Sequence, residues 1–106
     1  MKVRTVTGAR NILSSQVASV ALADTTSVTI MNLSHYRKAF TVTNTGTNKI
    51  YVKLGTGATS SSWHYVLPGG GANDDGNGGS INVDGYMGEV AVCAATTGRY
   101  HYVEFG

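Results

Sequence analysis

The segment 69–79 has the residue types of a cation-binding loop. Asn73, Asp75 and Asn77 alternate along a glycine-rich run, and Asp84 follows in the place of a closing ligand. Alternating oxygen ligands before a closing acidic residue are how an EF-hand loop wraps a calcium ion. Here the first ligand is Asn instead of Asp, the closing residue is Asp instead of Glu, and no helices flank the loop. These four residues are a weak calcium candidate, and a glycine-rich connection between two strands is the favoured interpretation.

The other reactive side chains lack the spacing that catalysis requires. His35, His64 and His101 do not lie at i, i+2 or i+4 from one another, so they form no local metal or acid–base pair. Cys93 is the single cysteine, which excludes an internal disulfide and a cysteine-based zinc site. No serine stands in a Gly-x-Ser-x-Gly elbow, and no Lys-Ser or Lys-Thr follows the glycine run. We expect no enzymatic activity and no cofactor.

Aromatic residues are the remaining candidates for a binding role. The chain has six tyrosines and one tryptophan. Tyr51, Tyr100 and Tyr102 are predicted to point outward, where a ring anchors a protein contact or stacks on a sugar. Arg4 and Arg10, in the N-terminal segment, are further candidates for contact with a partner. Protein contact is the favoured interpretation, with core packing and sugar binding as the alternatives.

Composition limits the domain count and the kind of partner. The 106 residues are enough for one domain. Only 13% of them are charged, about half the usual share, which favours a surface partly covered by other protein. The net charge is +2 and the basic residues are scattered, so we expect no nucleic-acid partner. No apolar run reaches the roughly 20 residues of a membrane span, and polar residues interrupt the N-terminal apolar stretch, so we expect neither a membrane segment nor a signal peptide.

Runs of β-branched and aromatic residues, bounded by Gly, Asn, Asp or Ser, predict about nine short strands. This pattern is typical of a single-domain antiparallel β-sandwich or a jelly-roll-like barrel. Residues 11–23 are the one segment where a helix competes, and their Ser and β-branched content favours a strand or an extended arm. We divide the chain into an N-terminal arm with the first strands, 1–23, and a β-sandwich core, 24–106. The predicted strands are 3–7, 17–23, 27–33, 38–44, 49–54, 63–67, 80–83, 89–95 and 99–105.

Alternation predicts which side chains are buried and suggests two hairpins. In strand 38–44, Phe40 and Val42 share one face and the threonines share the other, and strand 49–54 repeats the pattern around Val52. Turn residues separate these two strands, so we expect them to pair as an antiparallel hairpin.

The last two strands are predicted to form a second hairpin, with a two-residue loop at Thr97-Gly98. This register places Val92 opposite Val103 and Val90 opposite Phe105, all four in the core. A largely uncharged, tyrosine-bearing outer face would then be available to a partner. Its opposed pairs would be Cys93 with Tyr102, Ala95 with Tyr100 and Ala91 with Glu104.

Several segments, in this order, resemble a module of small structural proteins of tailed bacteriophages. Arg-Lys-Ala-Phe-Thr-Val-Thr-Asn at 37–44 and Ile-Tyr-Val-Lys-Leu-Gly at 50–55 are similar to that family's arginine-led strand ending in Asn and its Ile/Leu-Tyr-Val/Ile-x-Leu-Gly strand. Trp-His-Tyr-Val-Leu-Pro-Gly-Gly at 63–70 is similar to its strand closed by a Pro/Ala-Gly-Gly turn. Gly-Tyr-Met-Gly-Glu-Val at 85–90 is similar to its Tyr-x-Gly before the final hairpin. The likeness covers about 37–105 and departs from the family in the long acidic glycine loop.

The resemblance implies a virion protein, either a capsid decoration or cement subunit or a head-fibre or tail accessory. We expect it to stabilise the head by bridging capsid subunits, with the major capsid protein or other virion proteins as partners. A homotrimer is the favoured assembly, since several weak contacts then act together. The expected location is the virion, assembled in the host cytoplasm. A tail, neck or fibre accessory protein and a host-surface or carbohydrate-binding module are the alternatives.

Overall fold

The computed structural model describes residues 12–15, 19–71 and 78–106. Over these residues the chain is all-β, with nine strands in two antiparallel sheets that pack together around one core. The described part of 11–23, where a helix competed with strand, is strand and loop. The prediction of a β-sandwich is confirmed. The strands are β1 Ile12–Ser15, β2 Val20–Leu22, β3 Val28–Met31, β4 Ala39–Asn44, β5 Ile50–Leu54, β6 Tyr65–Leu67, β7 Ser80–Asp84, β8 Val90–Ala94 and β9 Gly98–Phe105.

Both predicted hairpins are wrong, because their strands lie in opposite sheets. The first sheet has the order β7-β4-β9, and β1 and β2 both pair with the remaining edge of β9. The second sheet has the order β3-β8-β5-β6. The connections from β4 to β5 and from β8 to β9 therefore cross from one sheet to the other.

The two crossovers run side by side, which explains why both predictions fail together. Thr45 N donates to Arg99 O at 3.1 Å, and Ala95 N donates to Lys49 O at 3.0 Å. Each sheet thus receives one strand from each predicted hairpin. Alternation in a sequence determines which face of a strand is buried but does not identify the strand beside it.

β9 presents the face opposite to the predicted one. Its register with β4 places Tyr102 opposite Val42 and Glu104 opposite Phe40. Directly opposed residues share a face, and Phe40 and Val42 are fully buried. Tyr102 and Glu104 therefore point into the sandwich, as does Tyr100, which is 5% exposed. The prediction that Tyr100 and Tyr102 point outward is wrong.

The inversion of β9 has an electrostatic cause. The sequence favours Val103 and Phe105 inward because that arrangement keeps the charge of Glu104 outside. In the structure Glu104 points inward, and its carboxylate lies 2.5 Å from the guanidinium of buried Arg37. A charge is tolerated inside a protein when it is paired and hydrogen-bonded, and sequence alone did not identify the partner.

The core lies between the sheets, and the inward positions of β4, β5 and β8 are those that alternation predicts. Burying each large apolar side chain contributes roughly 1.5–3 kcal/mol. In β8 the outward Ala91 and Cys93 are buried too, because Ala58 and half-buried Tyr51 pack over them. The buried core residues are Leu22, Met31, Phe40, Val42, Ile50, Val52, Leu67, Val90, Val92, Ala94 and Tyr100.

The N-terminal region contributes strands to the first sheet. β1 pairs with the end of β9 and β2 with its beginning. Leu22 of β2 lies in the core, so the core is not confined to 24–106. The predicted strand 3–7, together with Arg4 and Arg10, lies outside the described residues.

Candidate functional site

One end of the sandwich is built around a buried arginine. Arg37 precedes β4, and its side chain is fully buried. Its guanidinium donates to Glu104 Oε2 at 2.5 Å, to Asn32 O and Tyr86 O at 3.1 Å each, and to Gly88 O. A planar guanidinium suits this role because it carries five N–H donors in a fixed geometry. A single side chain thereby joins β9 to the two loops beside it.

The loop before β4 and the loop after β7, which Arg37 joins, are also bonded to one another. Ser34 N donates to Met87 O at 2.9 Å, and Gly85 N donates to Lys38 O at 2.7 Å. Gly85 has a φ of +82°, a conformation that glycine adopts without steric cost. Backbone groups held in this way restrict the local opening of a loop.

These two loops and β1 present large apolar side chains to solvent. Tyr36 is 80% exposed, Leu33 59% and Met87 44%. In β1, Ile12 is 64% exposed and Leu13 is 43% exposed. Five of the seven large apolar side chains that are exposed in the described part of the chain thus lie at this end. We call these five residues the apolar end.

β1 reaches the apolar end through its pairing with the last residues of β9. Ile12 lies opposite Phe105, whose carbonyl accepts a hydrogen bond from Lys38 N at 2.7 Å. Leu13 lies against Gly106, where an added Cβ would be 2.6 Å from Leu13 Cδ2. Among the described strands β1 pairs only with β9, so no described strand covers its other edge. The exposed apolar side chains therefore adjoin a strand edge that is unpaired within the described residues, and such an edge is a template for contact with another chain.

The apolar end has the features of a protein-recognition surface. Tyrosine and methionine are enriched in interfaces, and clustered exposed apolar side chains commonly mark interaction sites. Because Arg37 already fixes the loops, little conformational entropy remains to be lost on binding. In the described ranges, no group of three or more His, Cys, Asp or Glu is placed to hold a metal ion.

The opposite end of β4 is held by a second buried polar residue. Asn44 is fully buried. Its Nδ2 donates to Asn48 O at 2.8 Å and to Leu67 O at 3.0 Å, and its Oδ1 accepts from Gly46 N at 2.9 Å. These bonds fasten the β4–β5 crossover to the end of β6.

The structure separates the three tyrosines predicted to contact a partner. Tyr100 belongs to the core, and Tyr102 is half-buried and packs against it. Tyr51 lies on the outer face of the second sheet, as predicted, and is half-buried there. Lys49 Nζ lies 5.9 Å from the centroid of the Tyr51 ring, and the ring centroids of Tyr51 and Trp63 are 6.0 Å apart.

The calcium candidate is described only in part. Asn73, Asp75 and Asn77 lie outside the described residues. Asp84 ends β7 opposite Ala39 and is exposed. Calcium binding at this loop therefore stays a prediction.

Two groups have shifted pKa values. Burial raises the pKa of the Cys93 thiol above its ordinary value of 9.0, so the thiol is protonated at neutral pH and is a poor nucleophile. The backbone N–H of Thr26 donates to Asp24 Oδ1 at 2.8 Å and, with the Thr26 side chain, lowers the pKa of that carboxyl. In catalytic pairs the pKa of one group is generally shifted by the charge of the other. Neither of these two pKa shifts has a neighbouring charge as its cause.

Comparison with known proteins adds no family to these observations. No protein-family model matches the chain, and no curated protein or solved structure matches it. Over the described ranges, no helix has the length and apolarity needed to cross a membrane.

The sequence did not reveal the apolar end because three of its five members lie in loops. Alternation assigns faces only within strands, so it is silent about Tyr36 and Met87. Leu33 was the last residue of the predicted strand 27–33, whereas β3 ends at Met31 and leaves Leu33 in the loop. A usable signal was present: Leu33 stands between Asn32 and Ser34, in a connection whose other apolar residue is Tyr36. A large apolar residue among turn-forming residues indicates either a buried loop or a contact site.

Proposed function

We propose that the protein is a capsid decoration or cement protein of a tailed bacteriophage, and that it docks through the apolar end onto subunits of the capsid shell. The observation that carries this proposal is the concentration of five exposed apolar side chains on a surface fixed by Arg37. The likeness of segments 37–44 and 50–55 to phage structural proteins supplies the virion assignment. A charged fraction of only 13% supports extensive contact with other protein.

The proposed role is mechanical rather than chemical. A subunit that bridges neighbouring capsid proteins adds its binding free energy to the shell, so separating the shell requires breaking the added contacts as well. The proposed assembly is a homotrimer, in which three apolar ends engage the shell together and weak contacts become collectively strong. Light scattering of the purified protein over a range of concentrations measures its mass. A monomer at every concentration would remove the trimer from the proposal.

Docking through the apolar end is tested with the full chain and empty shells assembled from its capsid protein. Tyr36→Ala and Met87→Ser each remove an exposed apolar contact while leaving the core intact. We expect each variant to lower the affinity for shells by about tenfold or more, as truncation of a central interface residue does. Co-sedimentation with a constant amount of shell measures the bound fraction.

Trp63→Ala is the matched control for these variants. Trp63 is as exposed as Met87, at 44%, but lies on the outer face of the second sheet, so shell binding should be retained. The apolar end is not the docking surface if Tyr36→Ala and Met87→Ser bind shells as the unmodified chain does, or if Trp63→Ala loses as much affinity as they do. Immunogold labelling of the complete particle on its tail, instead of its head, would replace the decoration role with that of a tail accessory.

A further inference from the structure

A second surface lies away from the apolar end, at the other end of β8. A cleft of about 270 Å³ lies between the loop after β2, the loop after β5 and the last residues of β8. β8 begins beside the apolar end at Val90 and reaches the cleft at Ala94, roughly 13 Å farther along the strand. The residues that line the cleft are Thr25, Thr59, Ser60, Cys93, Ala94 and Ala95.

The lining of the cleft is uncharged and combines polar with apolar surface in equal parts. Thr25, Thr59 and Ser60 carry hydroxyls, and a hydroxyl can donate one hydrogen bond and accept two. The Thr59 hydroxyl already accepts a hydrogen bond from Ser61 N at 3.3 Å, which leaves it one donor and one further acceptor position. Cys93 and the alanines add small apolar surface without charge. A site for an anion or a metal ion would require an opposite charge among these side chains. The lining instead matches a neutral ligand that carries several hydroxyls.

An aromatic pair, Trp63 and Tyr51, lies next to residues that line the cleft. The indole N–H of Trp63 donates to the carbonyl of Ser60 at 3.1 Å, and Tyr51 lies opposite Cys93 in the β5–β8 ladder. Each ring therefore contacts or neighbours a residue that lines the cleft. Trp63 is 44% exposed although its one polar atom is already hydrogen-bonded. What it offers to solvent is an apolar aromatic surface, which suits the C–H face of a ring-shaped ligand.

The loop after β5, which carries Thr59, Ser60 and Trp63, is held by hydrogen bonds within it and to neighbouring segments. Thr59 N donates to Ser62 O at 3.0 Å, and Ser62 N donates back to Thr59 O at 3.1 Å. Lys53 Nζ donates to Ser62 Oγ at 2.7 Å, and Ala58 N donates to Ser27 Oγ at 2.9 Å. A cleft formed in advance loses less entropy when a ligand binds.

We propose that this cleft binds a single saccharide ring, with the hydroxyls of Thr25, Thr59 and Ser60 bonding to the sugar hydroxyls and Trp63 packing on its C–H face. The volume of about 270 Å³ is just below the roughly 300 Å³ at which small-molecule pockets begin, which suits one ring. This site is independent of docking on a capsid, since it shares no residue with the apolar end. Failure of either proposal leaves the other unaffected.

The single tryptophan of the chain makes the test direct. The full chain is titrated to tens of millimolar with the methyl glycosides of glucose, galactose, mannose and N-acetylglucosamine. Trp63 fluorescence and the amide NMR shifts of Thr25, Thr59 and Cys93 are recorded together. We expect at least one glycoside to change both signals with the same midpoint.

Two variants assign the binding to the cleft. Thr25→Val keeps the side-chain shape but removes a hydroxyl, and should weaken the affinity measurably. Trp63→Ala should weaken it by about tenfold in the NMR titration, because it removes the apolar ring surface on which the C–H face of the sugar would be buried. Tyr36→Ala, at the apolar end, is the matched control and should bind unchanged. The proposal is overturned if no glycoside shifts the cleft amides, if the shifts map to another surface, or if folded Thr25→Val and Trp63→Ala both keep full affinity.

Discussion

At the scale of single residues, the structure gives a role to the arginine and the asparagine at the two ends of the segment 37–44. Arg37 and Asn44 are the buried polar residues in the described part of the chain. They stand at the two ends of the segment 37–44. Arg37 fastens the loops at one end of β4, and Asn44 fastens the crossover at the other. Sequence alone did not show that Arg37 is buried, because a lysine or arginine before a strand is usually solvated.

Arg37→Met should lower the free energy of unfolding by about 3–5 kcal/mol, because it leaves the inward-pointing Glu104 without its partner. The carbonyls of Asn32, Tyr86 and Gly88 lose their donor as well. Urea denaturation followed by circular dichroism measures the change.

Lys38→Met is the matched control for Arg37→Met, since Lys38 is the adjacent cation and is exposed. It should change the free energy of unfolding by less than about 0.5 kcal/mol. The double variant Arg37→Met/Glu104→Gln should recover part of the loss, because the unpaired charge is gone. Equal destabilisation by Arg37→Met and Lys38→Met would show that the buried ion pair has no special role.

Cys93 should make stability depend on alkaline pH. Burial raises the thiol pKa of the folded chain above 9.0, whereas the unfolded chain keeps the ordinary value. Between the two values the folded chain holds a proton that the unfolded chain has released, so the free energy of unfolding falls as pH rises. Unfolding of the unmodified chain and of Cys93→Ala, from neutral pH to about pH 10, should therefore show the unmodified chain losing more stability. A constant difference across that range would contradict the expectation, since the other titrating groups are common to both proteins.

At the scale of strands, the sequence predicted positions and most buried faces but not pairing. β4 and β5 have the predicted inward residues. Eight of the nine described strands, β2 to β9, overlap a predicted range, and β1 lies in the segment 11–23 that was expected to be strand or extended arm. Pairing depends on whether a short connection turns within a sheet or crosses to the other, and both Thr45–Lys49 and Ala95–Thr97 cross. The face of β9 depends on Arg37, which is distant in sequence from Glu104. Both errors therefore concern long-range contacts, which local alternation does not encode.

The β4–β5 crossover provides a prediction at this scale. Asn44→Ala removes two donors and one acceptor, leaving Gly46 N, Asn48 O and Leu67 O without their side-chain partner. We expect a loss of about 2–4 kcal/mol in the free energy of unfolding, because buried polar groups left unpaired cost about 1–3 kcal/mol each.

Asn48→Ala is the control for Asn44→Ala on the same crossover. Its Nδ2 makes an exposed hydrogen bond to Thr97 Oγ1 at 3.2 Å. Loss of an exposed bond of this kind should cost about 0.5 kcal/mol. If thermal unfolding of the two variants gives the same midpoint, the Asn44 side chain does not hold the crossover as the structure indicates.

At the scale of the whole molecule, the chain has two separate surfaces and a different polar anchor near each end of β4. The apolar end gathers Leu33, Tyr36 and Met87 around Arg37, whereas the hydroxyl-lined cleft opens beside the last residues of β8. A subunit attached to a particle by the apolar end would leave the cleft accessible to a ligand. The variants Tyr36→Ala and Trp63→Ala separate the two surfaces, because each is the control for the other.

The N-terminal segment gives the last prediction, in which two deletions separate folding from docking. Deleting residues 2–11 leaves β1 in place, so the free energy of unfolding should stay close to that of the full chain. Deleting residues 2–16 also removes β1, which pairs with Phe105, Glu104 and Val103 of β9. That deletion should lower the free energy of unfolding by about 1–3 kcal/mol, the contribution of a few cross-strand pairs. Urea denaturation of both proteins measures the difference.

The same two deletions test the predicted contact of Arg4 and Arg10 with a partner. If the segment 2–11 is an arm that reaches a neighbour, its deletion should abolish binding to empty shells although the sandwich remains folded. Binding retained by that protein but lost in Tyr36→Ala would assign docking to the apolar end alone and exclude the arm. Only the deletion of residues 2–11 tests the arm separately from the apolar end, because the deletion of residues 2–16 also removes Ile12 and Leu13.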